Sequence, residues 1–171
     1  MDEVTEFNEQ IEKLANNLMP EKAIAFTAGS YSDEKPDQAG WGLVILHKSE
    51  GKPISFSDIA KERNKEGEKK TGHRNILGEV CAVEKAFDWA AKNKITTLYL
   101  FSKSEDIYGW LRRGFSANYE MTRKFKERGL VLQKKVHIPD ISDLPIDTNY
   151  KVIRESKYGK MAKQLAKEAE K

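Results

Sequence analysis

The stretch AIAFTAGSYSDEKPDQAGWGLVILHKSEGKPISFSDIA, residues 23–60, decides the fold class of this chain. It contains three apolar runs rich in β-forming residues, and polar or glycine-containing segments separate them. Short apolar runs bounded by turn residues are typical of strands that follow one another in an antiparallel sheet. The stretch therefore predicts a three-stranded antiparallel meander in which a Gly-Ser turn closes the first strand. The three predicted strands are 23–30, 40–48 and 53–60.

Downstream of this meander, helical patterns alternate with strand patterns. Residues 61–74 have almost no apolar side chain and are predicted to form a solvated loop. Apolar residues then recur at steps of three and four up to Ala90, which predicts a long amphipathic helix with Asn75 available as its N-cap. The remaining predicted elements are a strand at 95–102, helices at 104–114 and 118–129, a fifth strand at 130–138, a loop at 139–151 and a last helix at 156–171. The order predicts an α/β fold with a five-stranded mixed sheet flanked by helices.

A further helix is predicted before the first strand. Its apolar side chains lie on one stripe, and Pro20 ends it. We expect this stripe to pack on the body of the protein, which gives a helical segment at 1–21 and a main domain at 22–171. The stripe consists of Val4, Phe7, Ile11, Leu14 and Leu18.

Composition limits the class of protein. The chain has 171 residues, with 30 basic and 27 acidic side chains, so its net charge of +3 is too small to make the whole surface a polyanion-binding face. The single cysteine, Cys81, excludes an internal disulfide and suits a reducing compartment. Because no run approaches the 18 apolar residues that span a bilayer and the first residues are acidic, we expect a cytoplasmic protein without membrane contact.

Four motifs in the order of the chain resemble a known family. FTAGS (26–30), HRNILGEVCAVEKAFDWA (73–90), LYLFSKSEDIYGWL (98–111) and KYGKMAKQLAKEA (157–169) are similar to stretches of type 1 ribonuclease H, in its bacterial subgroup with an Arg-Asn-x-x-Gly-Glu sequence. The resemblance covers roughly residues 22–169. It implies the ribonuclease H-like fold with sheet order 3-2-1-4-5, and the predicted N-terminal helix is an extra element outside the resemblance.

The same resemblance identifies the positions of the catalytic carboxylates. Active members cleave the RNA strand of an RNA–DNA hybrid with two magnesium ions held by four carboxylates. The equivalent positions in this chain are Ala28, Glu79, Lys103 and Lys163, so only one carboxylate remains beside two ammonium groups. Such a site should repel divalent cations, and we expect neither a metal nor another cofactor. We predict instead an ion cluster in which the two lysines neutralise a vestigial glutamate.

Other residues are candidates for contact with nucleic acid, and each has a structural alternative. Gly29 and Ser30 resemble a turn that approaches the substrate backbone, but they also suit a plain turn. Asn75 resembles a residue that reads a ribose hydroxyl, but it also suits an N-cap, which we favour. The aromatic ring of Trp110 suits either a groove wall or, preferably, the core. The basic residues of 112–128 suit either a phosphate-binding protrusion or a solvated helix face. The full candidate set is Gly29, Ser30, Asn75, Lys103, Trp110, Arg112, Arg113 and Lys163.

Three functions remain open from the sequence. The leading one is a ribonuclease H-like pseudoenzyme that binds an RNA–DNA hybrid or double-stranded RNA without metal-dependent cleavage. The second is a protein-binding inhibitor, immunity or scaffold protein, which the three aspartates of 139–151 favour. The third is an active hybrid ribonuclease that uses magnesium on rearranged ligands. Acids that could replace the lost ligands are Asp33, Glu105, Asp106, Asp140, Asp143 and Asp147, although none has a suitable position in the pattern.

Overall fold

A computed structural model describes residues 2–31, 39–48, 51–60 and 74–170, with residues 74 and 75 described by their backbone alone. The predictions for loop residues 61–73, for Asp33 and for a ribose contact by the Asn75 side chain lie outside the described residues. The N-cap prediction for Asn75 needs correction, because the helix already includes Arg74 and Asn75 lies inside it. In chain order the elements are α1 (Glu3–Asn16), β1 (Lys22–Tyr31), β2 (Ala39–Leu46), β3 (Ile54–Ala60), α2 (Arg74–Lys92), β4 (Thr97–Ser102), α3 (Glu105–Arg112), α4 (Glu120–Leu132), a 3-10 turn (Ile141–Asp143), α5 (Tyr150–Glu155) and α6 (Lys157–Glu170).

The described strands form one mixed sheet with the order β3-β2-β1-β4. The first three strands pair antiparallel, as the meander predicts. β4 returns through α2 and lies parallel to β1, with Ser102 at the carboxyl end of β4 opposite Thr27 of β1. A strand that returns through a helix joins its neighbour in parallel.

Helices cover both faces of this sheet. The alternation of β1 sends Ala23 and Ala25 toward α2, α3 and α4, and sends Ile24, Phe26 and Ala28 toward α1, α5 and α6. On the second face, the rings of Phe26 and Phe101 stack with 5.0 Å between centroids. Phe7 of α1 meets both rings edge-on, so the N-terminal helix packs on this face through its apolar stripe.

The turn predicted at the end of the first strand needs correction. Gly29 and Ser30 do not form a turn, because both lie inside β1 and pair with Trp41 and Gly40 of β2. The reason for glycine is the close approach of α2, since a Cβ built at Gly29 would lie 2.6 Å from the Glu79 backbone nitrogen. The glycine signal therefore reports helix-to-strand packing and not a chain reversal.

The predicted fifth strand at 130–138 is wrong. α4 continues to Leu132, and the segment after it contributes a single parallel bridge between His137 and Thr97. Gly129 does not end α4; it lies under Leu111, whose Cδ2 would be 2.2 Å from an added Cβ. The β-forming residues Leu130 and Val131 are 51% and 65% exposed, so they do not belong to a buried strand.

The segment 139–151 is also more ordered than predicted. It contains the 3-10 turn, and α5 begins at Tyr150 with the Asn149 side chain accepting a hydrogen bond from the Val152 backbone nitrogen. The helix predicted at 156–171 corresponds to α6, and Ser156 separates it from α5. Among the residues that the structure describes, no helix is long and apolar enough to cross a membrane.

Candidate functional site

A cavity of about 680 Å³ opens where β1 and β4 end beside α2 and α6. It brings together six of the predicted site residues, and its remaining lining comes from β1, α2, α5 and the chain from Ser104 to Thr122. The six are Gly29, Ser30, Glu79, Lys103, Trp110 and Lys163, and the others are Tyr31, Ile76, Ser104, Asp106, Ser116, Asn118, Tyr119, Thr122 and Arg154.

Glu79 lies at the base of this cavity and is 1% exposed. Its Oε1 accepts hydrogen bonds from the Thr27 hydroxyl at 2.7 Å and from the Ser102 hydroxyl at 2.6 Å. Its Oε2 is buried and has no hydrogen-bond partner among the described residues. A buried carboxylate oxygen without a hydrogen-bond partner is costly in free energy. Among the described residues, Glu79 Oε2 is the one buried side-chain oxygen or nitrogen in this state.

The two hydroxyls that hold Glu79 were missed at the sequence level. Thr27 and Ser102 are register partners on adjacent parallel strands, one residue before Ala28 and Lys103. Strand alternation turns Thr27 toward α2 and turns Ala28, which is 2% exposed, into the core under α6. The signal was a hydroxyl residue directly before Ala28 in β1 and directly before Lys103 after β4, and it can be interpreted only once the two strands are known to be neighbours.

The end of β4 is fixed by a buried tyrosine. The Tyr108 hydroxyl donates to the Leu100 carbonyl oxygen at 2.7 Å and accepts from the Ser102 backbone nitrogen at 2.9 Å. Burial, the largest cause, raises the pKa of this phenol well above its ordinary value, so Tyr108 stays neutral and can serve both contacts. It thereby sets the position of Ser102 and of the following Lys103.

Lys163 reaches the cavity from α6. Its Nζ donates a hydrogen bond to the Gly29 carbonyl oxygen at 2.6 Å. Burial, the largest cause, and the neighbouring Lys103 and Lys167 ammonium groups together lower the pKa of Lys163 to about 8, while Glu79 acts in the opposite direction. The two cavity lysines are therefore close enough to repel each other, and a bound anion would relieve that repulsion.

The predicted ion cluster of Glu79, Lys103 and Lys163 stays a prediction. All three side chains line one cavity, and Glu79 acts on Lys163 through space. In the part of the chain that the structure describes, no ion pair within 4 Å joins Glu79 to either lysine. The Thr27 and Ser102 hydroxyls bind the Glu79 carboxylate instead.

Trp110 is almost wholly buried, and only its edge reaches the cavity. Its ring packs against Phe125 of α4, and its Nε1 donates to the Ser116 carbonyl oxygen at 3.1 Å. Ser30 donates its hydroxyl hydrogen bond to Glu170 near the end of α6. Both residues thus have a structural role that needs no ligand.

Arg112 and Arg113 do not line the cavity. Arg112 donates to the Gln133 side chain at 3.2 Å. Arg113 donates to both carboxylate oxygens of Asp140 at 3.0 Å, and it also contacts Glu105. Burial alone would raise the pKa of Asp140, but hydrogen bonds from Arg113 and Ser142 outweigh it and hold that pKa below its ordinary value. Arg113 therefore fixes the aspartate-rich segment beside the site.

The other basic residues of 112–128 also have partners within the protein. Arg123 donates to the Asn118 carbonyl oxygen and Lys126 to that of Phe115. Lys124 pairs with Glu120. Arg128 pairs with Glu84 at 2.6 Å and with Asp88 at 2.7 Å. These contacts make residues 112–128 a surface of mixed charge. The cations that line the cavity are Lys103, Lys163 and Arg154.

Cavity acids are too few for a pair of magnesium ions. Besides Glu79, Asp106 in the first turn of α3 is the other carboxylate of the lining, and three cations line the same cavity. Glu105 and Asp140 are engaged with Arg113. No cluster of three metal-ligating side chains is present among the described residues. The donor set does not fit the two-metal site of active hybrid ribonucleases.

Comparisons with known proteins agree with this architecture. No family model and no curated protein matches the sequence. Solved structures do match. The N-terminal ribonuclease H domain of a Mycobacterium tuberculosis protein has a TM-score of 0.59 at 13% identity, covering 87% of this chain and 93% of that one. Ribonuclease H1 from Halobacterium salinarum has a TM-score of 0.58 at 18% identity, covering 86% and 96%.

A third match is a ribonuclease H1 isolated from compost by a metagenomic approach. Its complex with an RNA/DNA hybrid has a TM-score of 0.60 at 15% identity, covering 86% of this chain and 95% of that one. At such identities the likeness concerns the fold, and it agrees with the strand order, the crossover through α2 and the covering helices seen here. The chain has the ribonuclease H-like α/β fold.

Proposed function

We propose that this chain binds a nucleic-acid duplex, an RNA–DNA hybrid or double-stranded RNA, at the cavity and does not cleave it with metal ions. One observation carries the proposal: Lys103 and Lys163 line the cavity at the ends of β1 and β4, where the resemblance expects carboxylates. In this role the two ammonium groups contact phosphate through charge-assisted hydrogen bonds, in place of a metal bridge.

The electrostatics of the cavity support this role. The Lys103 ammonium group lowers the pKa of Lys163, and an anion bound between the two lysines would offset this repulsion. Arg154 of α5 adds a third cation to the same wall. The hybrid-bound state of the compost ribonuclease H1 supports a duplex as the ligand class.

The test is a fluorescence-anisotropy titration with a labelled hybrid duplex across a range of salt concentrations. For the Lys103→Gln/Lys163→Gln double variant we expect weaker binding and a salt slope reduced by about 2, because each phosphate contact releases roughly one counterion. Lys124→Gln is the matched control, since Lys124 is exposed on α4 and pairs with Glu120. Equal affinity and slope for the double variant and the wild type would exclude the cavity as the binding site.

An apolar surface favours a protein partner as the second candidate. Leu130 and Val131 are 51% and 65% exposed. Val131 lines a groove of about 340 Å³ between α2 and α4, together with Phe87, Ala91 and Leu132. Exposed apolar patches of this kind often mark interfaces. A pull-down from nuclease-treated extract that recovers one stoichiometric protein, and loses it with Val131→Asp, would favour this function.

A further inference from the structure

The amine of Lys163 combines partial burial with a cationic neighbour inside a cavity. Its Nζ makes one hydrogen bond, to the Gly29 carbonyl oxygen. The charged groups that act on it are Lys103 after β4, Lys167 on α6 and Glu79 on α2, and Arg154 and Asp106 line the same cavity. With a pKa of about 8, roughly a quarter of the Lys163 amines are neutral at pH 7.5, against about one in a thousand for a solvated lysine.

A neutral amine in such a setting is a nucleophile. Lysines activated by a desolvated site or by an adjacent cation form imines with carbonyl compounds. The cations beside Lys163 add a second requirement, because Lys103 and Arg154 favour a ligand that carries an anion such as phosphate. The cavity is large enough for a ligand that presents both groups.

We infer that Lys163 forms an imine with an aldehyde or ketone that carries a phosphate group, with Lys103 and Arg154 binding the phosphate. The Lys163 nitrogen attacks the carbonyl carbon, and a carbon–nitrogen bond forms. The carbonyl oxygen then leaves as water with the two protons of the amine. One amine and one carbonyl give one imine and one water, and nothing is oxidised or reduced. This activity goes beyond duplex binding.

Two sources offer this chemistry. One is a small phosphorylated carbonyl compound. The other is an abasic site in a nucleic-acid strand, where the sugar aldehyde is flanked by phosphates. Pyridoxal 5′-phosphate probes the first source, and a duplex with one abasic site probes the second.

In the first arm, the full chain is mixed with stoichiometric pyridoxal 5′-phosphate at pH 7.5, reduced with borohydride and analysed by peptide mass spectrometry. We expect at least tenfold more label on Lys163 than on exposed Lys160 of the same helix. Pyridoxal without phosphate should label Lys163 several-fold less. Lys163→Arg, which keeps the charge, should lose the label while its circular dichroism stays unchanged. Label spread evenly over the lysines would overturn the inference.

The pH profile separates activation by Lys103 from simple exposure. Lys103→Met removes the neighbouring cation, so the pKa of Lys163 should rise and the midpoint of its labelling should move to higher pH. An unchanged midpoint would contradict the inference. Lys124→Met, on α4 outside the cavity, is the control and should leave the midpoint in place.

In the second arm, borohydride is added to the protein with the abasic duplex or with the same duplex carrying an intact base. A covalent complex that needs both the abasic site and Lys163 supports the inference and assigns a nucleic-acid source. Pyridoxal phosphate labelling without a covalent complex supports it and assigns a small-molecule source. If neither the pyridoxal phosphate label nor the covalent complex forms, the inference is overturned. Duplex affinity is measured separately by anisotropy, so failure of duplex binding remains distinguishable from failure of imine formation.

Discussion

At the scale of single residues, hydrogen bonds from the Thr27 and Ser102 hydroxyls hold Glu79 in the site, while the ion cluster that the sequence predicts stays a prediction. Glu79 could be identified from its motif, but the hydroxyls that bind it could not, because only the parallel register of β1 and β4 places Thr27 opposite Ser102. The proximity of Lys103 and Lys163 was predictable from the resemblance. The cavity position of Arg154 was not, because α5 lies outside the similar motifs.

The Thr27 hydroxyl should contribute measurably to stability. Thr27→Val keeps the shape of the side chain but removes a donor to a buried carboxylate, which should lower the free energy of unfolding by about 1–3 kcal/mol. Urea denaturation measures this change. Thr97→Val, on β4 at a partly exposed position, is the control and should stay within about 0.5 kcal/mol of the wild type. Equal stability of the two variants would contradict the hydrogen-bonding scheme.

Lys163 should make stability depend on pH in the alkaline range. Its pKa is about 8 in the folded protein and 10.5 as the ordinary value, so the unfolded chain binds more protons between these limits. The wild type should therefore gain stability relative to Lys163→Met as the pH rises from about 8 to about 10.5. Urea denaturation of both proteins at several pH values tests this. Lys160→Met, at an exposed position of α6, should show no such relative change, and a flat difference for Lys163→Met would refute the shift.

At the scale of elements, periodicity was sufficient for most of the fold and failed where burial overrides propensity. β1, β2, β3 and β4 follow predicted apolar runs, and α2 follows its amphipathic pattern. The segment 130–138 begins with Leu-Val-Leu, whose β propensity suggested a strand. These three residues instead form the end of α4, and the side chains of Leu130 and Val131 face solvent. Gly29 led to the wrong prediction of a turn, because its lack of a side chain allows α2 to approach β1 closely.

Paired alanine variants distinguish a helix from a strand at 130–138. In a strand, residues 130 and 138 would face the same side and both be buried, whereas here Leu130 is 51% exposed and Ile138 is fully buried. Leu130→Ala should therefore change the free energy of unfolding by less than about 1 kcal/mol. Ile138→Ala should lower it by about 2–5 kcal/mol. Comparable large losses for both variants, measured by urea denaturation, would support the strand.

At the scale of the whole molecule, the net charge of +3 says little until the charges are placed. The basic residues of 112–128 are engaged with carboxylates, carbonyl oxygens or an amide, whereas Lys103, Lys163 and Arg154 converge on one cavity with Glu79 and Asp106. The fold is that of hybrid-binding nucleases, while the donor set of the cavity suits an anion better than a pair of divalent cations. This contrast between fold and donor set is the basis for proposing duplex binding without metal-dependent cleavage.

The most direct test measures binding and cleavage on the same labelled RNA–DNA hybrid, in EDTA and in millimolar magnesium or manganese. At low salt we predict a complex with a dissociation constant below about 100 μM that forms equally in EDTA, together with intact RNA after prolonged incubation with either metal. Lys103→Gln/Lys163→Gln is the control that should lose the complex. Metal-dependent shortening of the RNA by the wild type, or no complex below that concentration, would contradict the central claim of a binding site without metal-dependent cleavage.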